Sequence, residues 1–199
     1  SVFKEFEGTI EQIPPVYSAL KFKGTPLYKL ARRGKPVQKP ARRITIFNIE
    51  ILGINLPLIR FTVSSSAGTY IRTLCADIGK FLGCGGHLKE LRRIQSGGFS
   101  IVEALKLSEL EDLVVSKKIS DRIISMSNAL RDMPEHRVDT ALEEKIMHGN
   151  VITKKDISLA HTDIPEGFIK IVNTRNELIA ILKHIKKSDR YGYCCVFNN

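Results

Sequence analysis

Tyr17 stands in the stretch PPVYSALKFKG, Pro14 to Gly24, directly after a pair of prolines and a valine, with Lys21 four residues on. Proline withdraws a backbone donor and stiffens the chain, so this stretch is a poor start for a helix and an awkward interior for a sheet. Two readings are open for Tyr17: a packing aromatic after a rigid turn, or a ring held out towards a flat partner. Arg72, in GTYIRTLCADIGKFLG, raises a matching question. With Thr69 as helix cap, Arg72 falls at the third helical position, where a cation opposes the helix dipole by a few tenths to about one kcal/mol. It is either a solvated arginine whose cost is small, or a cation answering a carboxylate or phosphate gathered where the strand SSSAG runs into the helix. Glu11 and Asp77 are the acids nearest these motifs and are read as structural.

The elements that must position these residues follow from pattern. FKEFEGTIEQI alternates as a strand and ends at the prolines, and LYKLARRG reads as a short helix with Leu27, Leu30 and Ala31 on one face and Gly34 as its stop. RITIFNIEIL and LIRFTVSSS are strand patterns joined by a turn or bulge at Leu56-Pro57. Ile71, Leu74, Cys75, Ile78 and Leu82 make one apolar face of the clearest helix, which Gly83 can end. HLKELRRI predicts a second short helix. Capping boxes are expected at Ser108 to Glu111 and at Thr140 to Glu143, and a helix is expected around DRIISMSNAL, ended by Pro134. Beyond it GFIKIV, NTRNE, LIAILK and YGYCCVF predict a small, mostly β domain over residues 133–199. Residues 1–132 then form a separate α+β domain, a mixed, largely antiparallel sheet with flanking helices.

With 199 residues the chain can bury a real core, and its net charge of +10 points to an anionic partner. The cations come in short groups such as Arg32-Arg33, Arg42-Arg43 and Arg92-Arg93, and no basic amphipathic helix stands out, so nucleic acid is favoured over membrane. No apolar run reaches the length of a membrane span, and the opening residues lead to no expectation of a signal peptide. The four cysteines form no C-x-x-C pair, and the five histidines are scattered, so no metal site is expected and the thiols fit a reducing cytoplasm.

The order GTIEQIPPVYSALKFKGTPLYKLARRGKPV…RRITI, then SSSAGTYIRTLCADIGKFLGCGGHLKELRRIQSGGF, resembles the bacterial TruB-type tRNA pseudouridine synthases over residues 3–99. The RNA-guided archaeal and eukaryotic relatives share the GTYIRTL and ELRR blocks but lack the PPVYSALK form, which favours the stand-alone bacterial type. The tail after Pro134 is similar to the small PUA-like RNA-binding domain of those enzymes. The resemblance implies a cofactor-free isomerisation of uridine 55 in the tRNA T-loop: the bond from uracil N1 to the ribose breaks, the base turns, and C5 rejoins. The target base must leave its stack, which requires a flat apolar pocket with an aromatic platform. By motif, Tyr17 is implied to stack on the flipped base and assist removal of the C5 proton, and Arg72 to pair with the catalytic aspartate. Tyr70 and Leu91 match pocket residues; for Tyr70 core packing is the competing role, and for Leu91 both roles together are expected. Lys21, Arg32, Arg33, Arg42, Arg43, Arg92 and Arg93 are candidates for phosphate contact, each weighed against an ordinary solvated charge.

The family's aspartate lies in a G-x-L-D-P-x-A-x-G motif that does not occur in these 199 residues. The expectation is therefore a C-terminal part of the enzyme, inactive alone, whose partners are the tRNA T-arm and the missing N-terminal segment, and whose sheet presents open edges. The alternative is a non-catalytic RNA-binding module that aids tRNA folding.

Overall fold

The computed structural model describes residues 2–157, 167–185 and 188–197, and the packing divides into two units, Ser1–Arg92 and Arg93–Asn199. This division falls earlier in the chain than the domain limit at 132/133 expected from the sequence.

In the first unit a 3-10 turn, Val2–Phe6, precedes the strand β1, Gly8–Gln12. The expected strand is thus shortened at its start. Gly8, at φ +95, redirects the chain between the turn and the strand, a conformation that a side chain would resist. A two-residue hairpin, β2 (Lys21–Phe22) and β3 (Thr25–Pro26), leads into helix α1, Leu27–Arg32. The long strands β4, Arg42–Asn55, and β5, Leu58–Ser65, meet at the Leu56-Pro57 turn and form an antiparallel sheet in the order β1-β4-β5. Alternation places Ile44 and Ile46 in the core. A bulge between Ile46 and Asn48 then shifts the phase, so that Ile49 takes the next inward position. The Ile49 N–H freed at this irregularity donates to Glu7 Oε1 at 2.9 Å, which holds the Glu7 carboxyl below the usual range. Phe3, Leu74 and Ile78 close the same core, the last two from helix α2, Ile71–Phe81.

Two expectations around α2 are corrected. The cap is Tyr70, not Thr69, whose hydroxyl donates to the Ser66 carbonyl at 2.9 Å, so Arg72 stands at the second helical position. Residues 87–94 form no helix. After the turn at Gly83, the Gly85-Gly86 backbone lies directly on α2: a Cβ on Gly79 would stand 2.2 Å from the Gly86 nitrogen. That docking, not the Leu88–Leu91 spacing, sets the local conformation.

The second unit opens with the hairpin β6 (Gln95–Ser96) and β7 (Phe99–Ser100), a 3-10 turn at Ile101–Glu103 and helix α3, Leu107–Val115. Its cap is Lys106, whose N–H donates to Glu109 Oε2 at 2.9 Å, rather than Ser108. The helix expected around DRIISMSNAL divides into a 3-10 turn, Ile119–Arg122, and α4, Met126–Ala129, because Ser125 starts a new helix by accepting from the Asn128 N–H. The β domain follows with β8 (Glu135–Arg137), α5 (Thr140–Met147), β9 (Ile152–Thr153), β10 (Phe168–Val172), β11 (Leu178–His184) and β12 (Arg190–Val196). The α5 cap is Asp139, a stronger acceptor than the expected Thr140, taking the Leu142 N–H at 2.8 Å.

These strands form one sheet, β8-β10-β11-β12-β9, parallel only at β8–β10, around Ile146, Ile152, Ile169, Ile171 and Leu182. The NTRNE turn is organised by buried Asn173, whose Oδ1 accepts the Arg175 and Glu177 N–H groups and whose Nδ2 donates to Glu143 and Glu177. Lys170, 6% exposed, points its Nζ at the carbonyls of Ser127 (2.8 Å) and Leu130 (3.1 Å) and at Glu135 (3.3 Å). It ties α4 to the middle of β10. The chain is an α+β protein with a small, mostly β C-terminal domain, as its sequence predicts.

Candidate active site

The loop after β1 carries Tyr17, and the first turn of α2 carries Arg72. The two meet: Arg72 Nη2 donates to the Tyr17 carbonyl oxygen at 2.7 Å. Arg72 therefore answers a backbone dipole from the tyrosine loop, and one nitrogen of its fork is already committed there. A guanidinium has five donors, so the remaining N–H groups are free to meet a carboxylate. The Tyr17 side chain is 53% exposed, which places its ring outside the core. The far side of the loop is fastened to α1, with the Tyr28 N–H donating to Ser18 O (3.1 Å) and the Leu27 N–H to Leu20 O (2.7 Å).

A residue that the sequence did not single out fixes the other end of the loop. Gln12, the last residue of β1, is 1% exposed and bonds both backbone groups of Tyr70. Its Oε1 accepts the Tyr70 N–H at 2.8 Å, and its Nε2 donates to the Tyr70 carbonyl at 3.1 Å. Residues 12–17 are thus stapled at both ends to the first turn of α2, with two prolines between the staples. No local signal could have revealed this, because glutamine at a strand end has no characteristic spacing to its partner.

Arg42 faces Gln12 across the sheet. Its guanidinium lies 5.1 Å from the centre of the Tyr70 ring and donates to the Gly68 carbonyl. Tyr70 is thereby held from its backbone by Gln12 and from its ring by Arg42. Arg42 thus sits against the turn before α2, with its charge facing protein groups. Lys21, Arg32, Arg33, Arg43 and Arg92 are exposed. Arg32 stands 5.5 Å from the Tyr28 ring, and Arg43 lies opposite Glu11 in the sheet. Arg93, exposed in the second unit, donates to Ser96 Oγ at 3.4 Å. Leu91 is 62% exposed on the irregular run after α2, so core packing is not its role.

On α2, burial pushes the Cys75 thiol up, away from nucleophile chemistry at neutral pH. Burial likewise raises the Asp77 carboxyl, against a smaller opposing effect of Lys80. Among the described residues no group of three or more His, Cys, Asp or Glu side chains could hold a metal ion, and no helix is long and apolar enough to cross a membrane. The arrangement can present an aromatic face beside an arginine whose position is fixed by the same loop.

Residues 1–71 match the model of the TruB family pseudouridylate synthase N-terminal domain, and residues 72–134 that of the tRNA pseudouridylate synthase B C-terminal domain. The tRNA pseudouridine synthase B of Geobacter sulfurreducens is 41% identical over 167 residues, 83% of this chain and 55% of that protein. That of Francisella tularensis is 47% identical over 145 residues, 73% of this chain and 47% of that protein. The chain spans about half the length of these curated relatives. Among solved structures, a Cbf5-Nop10-Gar1 complex superposes with a TM-score of 0.77 at 27% identity, over 98% of this chain and 60% of the other. An H/ACA RNP bound to a substrate RNA containing 2'-deoxyuridine gives 0.74 at 26% identity, over 100% and 60%.

Proposed function

Because the chain belongs to the TruB family of pseudouridylate synthases, we propose that it is the platform-bearing part of an enzyme that converts uridine 55 of the tRNA T-loop to pseudouridine. The observation that carries this reading is the 2.7 Å contact of Arg72 with the carbonyl of half-exposed Tyr17. A base flipped from its stack needs an aromatic face, and an isomerisation that detaches it needs a carboxylate held ionised beside that face. Tyr17 offers the face. Arg72, fixed by the tyrosine loop, offers the cation that keeps the neighbouring aspartate charged. When the N1–ribose bond breaks, its electron pair stays on N1 and the aspartate carboxylate holds the ribose carbon. The base turns on the ring of Tyr17, and C5 bonds to that carbon as the carboxylate releases it. The proton lost from C5 with assistance from the phenol oxygen is matched by one gained at N1. Tyr70 and Leu91 wall the pocket. No metal or organic cofactor enters this reaction.

The aspartate itself belongs to a motif absent from these residues, so this sequence needs the portion of the relatives that it does not span. In this reading residues 1–132 complete the catalytic domain, residues 133–199 form a PUA-like RNA-binding domain, and the exposed Lys21, Arg32, Arg33, Arg43, Arg92 and Arg93 face phosphates in the cytoplasm. The experiment is to incubate the chain with a tRNA T-arm, with and without the segment carrying the G-x-L-D-P motif, and to measure pseudouridine. Product only with that segment is expected. Product from the chain alone overturns the assignment of the nucleophile, and none in either arm overturns the enzyme. Tight T-arm binding with no product in either arm favours the second reading, an RNA-binding module, which the missing aspartate motif supports.

A further inference from the structure

We infer that Gln12 is a positioning residue for the active site, acting on Tyr17 through Arg72. The inference rests on the proposed function only for its effect on turnover. The N-cap N–H of a helix is often satisfied by a glutamate or glutamine three residues into the helix, the reciprocal half of a capping box. In α2 that position is Thr73, and the Tyr70 side chain makes no capping bond. Gln12 supplies the missing acceptor from another element, at 2.8 Å, and is buried while doing so. Its second atom donates to the Tyr70 carbonyl, which also accepts the Leu74 N–H at 3.0 Å as the first bond of the helix.

Both backbone groups of the cap residue are therefore fixed to β1, not to the helix alone. Arg72, two residues further, reaches back to the carbonyl of Tyr17, five residues beyond Gln12. The result is a closed circuit: strand end, helix cap, arginine, tyrosine loop, and back through two prolines to the strand end. A cap contributed only for helix stability would need the acceptor alone. The paired donor locks the rotation of the first helical turn about β1, and with it the direction of Arg72.

The test has two readouts that a purely local cap would not move. The first needs no activity: NMR of the Arg72 Nη–H signals and of the Tyr17 carbonyl carbon in this chain. In Gln12→Ala both are expected to shift, together with faster exchange of the Tyr70 and Leu74 amides. If the amides quicken while the Arg72 and Tyr17 signals stay in place, Gln12 is only a cap and the inference is overturned. The second readout is turnover in the polypeptide completed with the aspartate segment. Displacement of reacting groups by about 1 Å costs on the order of 100-fold, so Gln12→Ala should lower kcat by about that factor with KM for tRNA unchanged. Unchanged kcat, or a loss confined to KM, overturns the inference. Should Gln12→Ala fail to fold, Gln12→Glu decides, since it keeps the acceptor for Tyr70 N–H but loses the donor. Absence of product from the unsubstituted polypeptide would overturn the proposed function, while the NMR result would still decide the role of Gln12.

Discussion

Replacement of Lys170 by methionine gives a direct measure of what a buried charge contributes to the C-terminal half of the chain. Methionine nearly conserves the volume and flexibility of the stem, so the change isolates the ammonium. In the native protein Nζ donates to Ser127 O and Leu130 O and pairs with Glu135, while the residue is 6% exposed. Hydrogen bonds to a charged group contribute about 1.5–3 kcal/mol each. The two carbonyls lose such donors. Glu135 is partly exposed and regains water, so it adds little. Against this, the variant no longer pays to bury an ammonium, which recovers part of the loss. The balance is a destabilisation of about 2–4 kcal/mol. With a urea m-value of about 2 kcal/mol/M, the unfolding midpoint followed by circular dichroism should fall by about 1–2 M. Amide exchange should quicken first in residues 126–130, which the lysine holds. A variant as stable as the native protein, or more so, would refute the reasoning: Lys170 would then be a buried charge whose desolvation cancels its bonds.

Four further substitutions have expected outcomes. Asp156 accepts from Lys145 at 2.7 Å and from the Thr153 N–H and hydroxyl, and the lysine hydrogen bond in particular holds its carboxyl at about 2 against an ordinary 3.8. A depressed folded-state pKa adds stability that is complete above the unfolded value and lost as pH falls through the folded one. About 1–2 kcal/mol, after discounting for the partly exposed lysine, should therefore vanish between about pH 4 and pH 2, and Asp156→Asn should flatten that part of the stability profile. Gly79→Ala should lower the thermal midpoint despite the usual helix gain of about 1 kcal/mol, because its Cβ meets Gly85–Gly86 backbone, whereas Gly53→Ala, with nothing within 4 Å, is the control. In the completed enzyme Tyr17→Phe should keep tRNA affinity while slowing turnover, and Arg72→Ala should cost turnover about 100-fold with little change in affinity; equal losses in both would mark Arg72 as a phosphate contact.

The parts of the fold legible in the sequence were those decided by local periodicity. Ile71, Leu74 and Ile78 give α2 its inward face, and the alternation in β4 and β5 gives the hairpin. HLKELRRI failed because Leu88 and Leu91 have helical spacing while the preceding glycines dock backbone to backbone on α2, a tertiary constraint invisible in the segment itself. The caps failed by one or two residues: Asp139 accepts the Leu142 N–H in place of Thr140, and Lys106 donates its backbone N–H to Glu109 in place of the expected Ser108–Glu111 pairing, choices that only the final geometry selects. At the candidate site, the unfavourable arginine in the first helical turn and the aromatic after two prolines single out Tyr17 and Arg72 in the sequence, and the structure brings these two into contact. That Arg72 grips the Tyr17 carbonyl could not be read, nor could the role of Gln12, whose partner lies 58 residues away.

The inward turn of Arg42 alters how the basic character of the chain translates into solution behaviour. RNA affinity falls with added salt because each phosphate neutralised by a bound cation releases counterions, steepening the log–log dependence by about 0.7–0.9 per contact. A guanidinium resting on the Tyr70 ring and the Gly68 carbonyl adds to net charge, and so to the long-range pull on a polyanion, but would add to ion release only by leaving those groups for a phosphate. Attraction at a distance and ion release on contact are therefore separate properties here. The first scales with the formal +10, the second only with the smaller set of cations whose heads point outward.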